Sequence, residues 1–137
     1  MNLARAACRV LDANLNRARE GLRVCEEAAR FILEDGGLTR RSQRIRYDLA
    51  AAARRIPRAR LLKSRDSRAD VGRPSERGPV GRHRNIRDLI MANGKRVQEA
   101  LRVLEEFSRL QSPQTAKAFG SLRFRVYSLE QDLLSRL

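Results

Sequence analysis

The chain has 137 residues, 42% of them hydrophobic and 34% charged, and carries a formal net charge of +14 at pH 7. That length holds one domain with a real core and is short for two. No apolar run approaches the roughly 20 residues of a membrane span, and "MNLARAACRV" lacks the apolar stretch and cleavage pattern of a secretory signal, so the expected location is cytoplasmic.

In the first helix Cys8, Leu11, Leu15, Ala18, Leu22, Cys25, Ala29 and Ile32 recur at spacings of three and four, one inward face. Asn2 is the expected cap at its start, and Gly36 with Gly37 the expected stop. Cys8 and Cys25 share this stripe about 25 Å apart along the axis, too far to pair, and read as buried free thiols. A second helix is expected from a Thr39 cap, with Ile45, Leu49, Ala52 and Ile56 inward and Pro57 ending it. After a connection at about 58–85, Asn85 with Asp88 forms a capping-box pattern for a third helix carrying Ile90, Val97, Leu101 and Leu104. Ser112 and Pro113 open a fourth, with Phe119, Leu122, Val126, Leu129, Leu133 and Leu137 on one side.

The chain repeats itself. "NLNRAREGLRVCEE" at Asn14 returns 79 residues later as "NGKRVQEALRVLEE" at Asn93, and "IRYDL" at Ile45 is echoed by "LRFRV" at Leu122. Two helical hairpins, at about 2–57 and about 86–137, therefore predict an all-α, four-helix bundle with pseudo-twofold symmetry and a long central loop. The repeat keeps polar letters as well as apolar ones: Asn14 and Asn93, Arg17 and Arg96, Glu20 and Glu99, Arg23 and Arg102, Glu27 and Glu106. Pairs such as Glu20 with Arg23 and Arg23 with Glu27 stabilise a helix on their own, so these letters read either as surface ion pairs or as a site. An asparagine inside a helix favours the site, because its amide is most useful where it has a partner.

The connection is Gly-, Pro-, Ser- and Arg-rich, and from Arg54 to Arg87 twelve Arg or Lys face only Asp66, Asp70 and Glu76. Within it "RDSRADVG" reads either as a flexible basic linker or as a binding loop. In the second reading Arg65 and Arg68 clamp phosphate oxygens, Asp66 and Asp70 hold Mg²⁺, and the Gly72 backbone approaches an anion. His83 stands alone, which excludes a His/Cys metal cluster and a Ser-His-Asp set. Neither common Gly-rich nucleotide cradle is present. The basic balance attracts polyanions, but six aromatic residues offer little for base stacking, so nucleic acid is the weaker partner reading.

Together "LDANLNRAREGLRVCEEAARF", "IRYDL", "RDSRADVG" and "ANGKRVQEALRVLEEF" resemble the small helical hydroxymethylpyrimidine phosphate kinases of thiamin biosynthesis, often fused to the front of thiamin phosphate synthase; the likeness runs from about Leu11 to Leu129. The resemblance implies transfer of the γ-phosphoryl group of ATP, with Mg²⁺, onto 4-amino-5-hydroxymethyl-2-methylpyrimidine phosphate. It implies a catalytic set of Arg17, Arg65, Asp66 and Arg96 and a metal held by Asp66 and Asp70. Substrate would be bound by Asn14, Glu20, Arg23, Gly72, Asn93, Glu99 and Arg102, and a separate synthase is an implied partner. Tyr47 stands where the family usually shows His, Ser67 where it shows Thr, and Arg73 follows "DVG" where Thr is common. A monomer and a homodimer both fit the duplicated halves. A non-catalytic basic module binding nucleic acid or serving as an adaptor is the alternative function.

Overall fold

The computed structural model describes residues 1–73 and 79–137; the part of the connection at 74–78 lies outside them. Every regular element among the described residues is helical: α1 Leu3–Glu27, α2 Gly36–Ala53, α3 Arg58–Ser64, α4 Ile86–Ser108 and α5 Pro113–Ser135. None is long and apolar enough to cross a membrane. The caps at Asn2, Asn85 and Ser112 form as the sequence implies, each side chain accepting the backbone N–H three residues on, at 3.1, 2.9 and 3.2 Å.

Helix α1 lies along α4, α5 lies along α4, α2 contacts α1 and α5, and α3 rests on α1. Opposite directions follow from who meets whom. Arg41 and Arg125 pair with Asp132 and Asp48 across α2 and α5, and Glu105 of α4 meets Arg123 of α5. One continuous cluster of buried side chains runs through the helices, with Leu15, Leu22, Leu101, Leu104 and Phe119 at 1% exposure or less. Gly21 sets the approach of α1 to α4, since a Cβ there would stand 2.6 Å from Val97 Cγ2 and 3.0 Å from the Asn93 carbonyl oxygen. Both cysteines are buried and free; burial, and then the charge of Glu130, push the Cys25 thiol up to about 12.

Five expectations need correcting. Gly36 and Gly37 do not end the first helix but open α2, capped by Asp35, whose carboxylate accepts the Leu38 N–H at 2.9 Å; Thr39 is not the cap and instead donates its hydroxyl to the Asp35 carbonyl oxygen. The end of α1 is a π-helical turn, Ala28–Ile32, followed by Glu34 at φ 49°, a left-handed conformation usually left to Gly or Asn. That wide turn shifts the register of the apolar stripe, so Ile32 is 58% exposed rather than buried. Leu137, past the end of α5, is also exposed. Finally, helix α2 stops at Ala53, and Pro57 begins the short helix α3 inside the expected loop.

Candidate functional site

A cleft of about 1,210 Å³ opens where α1 and α4 pass each other. Helix α1 contributes Asn14, Asn16, Arg17 and Glu20, helix α4 contributes Arg96, Glu99, Ala100 and Val103, and the connection supplies Ser67, Asp70 and the run from Pro79 to His83. The tight approach at Gly21 brings the two polar stripes to one place, because side chains three and four residues apart share a helix face. Asn14 is buried, and its amide donates to the Val10 carbonyl at 2.9 Å. Asn93 repeats that bond to Leu89 at the same 2.9 Å, without lining the cleft.

All but one of the charges shared by the repeat fall into two groups; Glu27 neither lines the cleft nor forms an ion pair among the described residues. Glu26 and its counterpart Glu105 are tied down: Arg46 reaches Glu26 at 2.9 Å, and Arg123 reaches Glu105 at 2.9 Å. Arg23 and Arg102 join them, at 3.3 Å from Glu26 and 3.7 Å from Glu105, with Glu106 a further partner of Arg102. Burial alone would raise the Glu26 pKa. Hydrogen bonds from Arg46 and Gln43 and the charges of Arg46 and Arg23 outweigh burial and hold the carboxyl below its usual range. Arg17, Glu20, Arg96 and Glu99, by contrast, form no ion pair among the described residues, and all four face the cleft.

Not every nominated residue gathers there. Arg65 is engaged with Asp12, its Nε donating to Oδ2 at 2.7 Å and its Nη2 to Oδ1 at 2.8 Å. That hydrogen bond and the carboxylate's charge push the guanidinium pKa further up. Asp66 accepts the Ala69 N–H at 3.1 Å, and its carbonyl accepts from Arg9 at 3.5 Å. Arg23, Arg102, Asp66 and Gly72 are not among the cleft-lining residues. The Arg65–Asp12 and Arg9–Asp66 bonds nonetheless tie the stretch from Arg65 to Arg73 to α1, and within it Asp70 accepts the Gly72 N–H at 2.9 Å and Arg73 donates to the Ser67 carbonyl at 3.3 Å. Tyr47 is 59% exposed on α2 under the Arg46 guanidinium, outside the cleft lining. Asn16, Val103 and His83 line the cleft without having been nominated. Asn16 sits two residues from Asn14, on a part of the motif where the repeat changes to Lys95, which gave no signal.

Among the described residues no three His, Cys, Asp or Glu side chains converge as a metal cage. Mg²⁺ carried by nucleotide phosphates needs only one or two protein carboxylates, and Asp70, which lines the cleft, could supply one; Asp66 does not line it.

The chain matches the model of the ThiD2 family over residues 9–132. It is 42% identical over 130 residues to a thiamine-phosphate synthase of Rhodopirellula baltica, covering 95% of this chain and 35% of that protein. Thiamine-phosphate synthases of Synechocystis sp. and Nostoc punctiforme are 44% and 42% identical, over 94% and 92% of this chain and 36% and 35% of theirs. This chain thus spans about a third of the length of these relatives (35% to 36%). No solved structure gives a significant match. With the family model spanning residues 9–132, and so both copies of the repeat, the chain belongs to the ThiD2 family.

Proposed function

We propose that the chain is a phosphotransferase of thiamin biosynthesis, converting 4-amino-5-hydroxymethyl-2-methylpyrimidine phosphate to the diphosphate with ATP. The observation that carries this reading is that four repeated charges without ion-pair partners among the described residues, Arg17, Glu20, Arg96 and Glu99, meet in one cleft. The two hairpins are related in this reading by a pseudo-twofold axis through the α1–α4 crossing. The matched ion pairs Arg46–Glu26 and Arg123–Glu105 support that relation.

A phosphate monoester has a second pKa near about 6, so the acceptor is already an anionic nucleophile at neutral pH and no side-chain base is required. The barrier is electrostatic repulsion between two phosphate groups, together with the need for in-line alignment. Arg17 and Arg96, from opposite walls, neutralise the facing phosphates and hold them in line. Asn14 and Asn16 offer amides to the pyrimidine ring edge, Ala100 and Val103 give its faces an apolar wall, and Asp70 holds the metal. Mg²⁺, when bound, screens the β- and γ-phosphate charge. A separate thiamin phosphate synthase is the proposed consumer of the product, and the cytoplasm the proposed site of action.

Incubating the chain with ATP, Mg²⁺ and the pyrimidine monophosphate should yield ADP and the pyrimidine diphosphate in equal amounts. Absence of both products, combined with RNA binding that collapses as salt is raised, would replace this reading with that of a nucleic-acid-binding module.

A further inference from the structure

A second cavity, of about 880 Å³, lies at the far end of α1 from the π-helical turn, between the first turns of α1, helix α3 and the α4–α5 turn. Two independent features mark it. Leu3 and Leu110, 56% and 59% exposed, present apolar surface to it beside Ala4 and Ala7. Arg5 from α1 and Arg60 and Lys63 from α3 also line it, and their side chains have no ion-pair partner among the described residues, although acidic residues elsewhere engage ten other arginines. A concave apolar wall with convergent charge of one sign suits a small molecule of opposite charge, and the size is at the upper end of the range of about 300–1,000 Å³ for such sites.

We infer that this cavity binds a small organic anion, a phosphate or carboxylate carried on an apolar body, at a site separate from the α1–α4 cleft. Its walls share no residue with that cleft. Helix α3 connects the two: Ser64, buried against α1, lines the cavity, and the next residue, Arg65, ties the Ser67–Asp70 stretch to Asp12. An anion bound between α3 and α1 thus sits one residue from the Arg65–Asp12 tether of the stretch that walls the cleft.

The test uses phenyl phosphate, inorganic phosphate and benzyl alcohol as probes against the full chain, read by backbone amide NMR. It does not depend on turnover, so a failure of the kinase reading leaves its outcome intact. Phenyl phosphate should saturably shift amides at 3–8, 60–64 and 110–111, with inorganic phosphate and benzyl alcohol each at least about tenfold weaker, because each lacks half of the recognition. Arg60→Glu with Lys63→Glu, both on the exposed side of α3, should weaken phenyl phosphate by about tenfold or more with the circular dichroism melt unchanged. Cleft amides of Arg17 and Arg96 responding alone, equal binding of inorganic phosphate, undiminished binding by the double variant, or no saturable shift at all would each overturn the inference.

Discussion

Arg17 and Arg96 are charges that the fold leaves without an acidic partner among the described residues, and this separates their substitutions from those of Arg46 or Arg123, which hold helices together. Arg17→Ala and Arg96→Ala should each lower kcat/KM by about 10²-fold or more, the scale for losing one donor aimed at developing charge, while the melting temperature stays within about 2 °C of wild type. Glu26 behaves in the opposite way. It is 1% exposed and its folded pKa lies below the ordinary carboxylate value, so its contribution is complete above that value and disappears as pH falls through the depressed one. Glu26→Gln should therefore melt lower than wild type at pH 7, with the gap closing as pH drops below about 4; scans at pH 7 and pH 3 decide it. At this scale the sequence showed which letters were repeated but not which were engaged. Asp12, the partner of Arg65, lies 53 residues away with no echo in the repeat, because Met91 occupies the matching place.

Gly21 governs how α1 and α4 fit together. Gly21→Ala gains about 1 kcal/mol of helix propensity and meets overpacking of about 1–3 kcal/mol. The contact with the Asn93 backbone oxygen cannot be relieved by a rotamer change, so a net loss of about 1 kcal/mol is expected. Combined with Val97→Ala, which removes the 2.6 Å clash, the cost should be less than the sum of the two single changes, as a double-mutant cycle by thermal melting would measure. The stretch after α3 makes a different prediction. Since Arg65 engages Asp12, Arg65→Ala and Asp12→Ala should raise KM alike, by about tenfold, with trypsin cutting faster at Arg68, and the double variant should be little worse than Asp12→Ala. Helices α1 and α4 were legible because eight apolar positions in the first and four in the second repeat at helical spacing. Helix α3 was not, since seven residues behind a proline carry too little periodicity. Gly36–Gly37 misled because glycine usually follows a helix, whereas here Asp35 caps the next one and Glu34 takes the left-handed turn.

For the whole molecule, a net charge of +14 on 137 residues works against compactness. Screening at about 0.5 M salt, where the Debye length falls to about 4 Å, should raise the melting temperature by a few degrees; a fall would mean that the ion pairs between helices outweigh the overall repulsion. The all-helical class and the meeting of two polar stripes were readable from the duplication, while the part of the connection that covers them was not, because it has no period to follow. The pair formed by Asp48 and Arg125, at 2.7 Å, joins positions that the "IRYDL" and "LRFRV" segments make equivalent. Opposite signs at matching places give the two halves complementary faces. Two copies of either half meeting there would set acid against acid or base against base, so this contact favours the pairing of unlike halves over like ones.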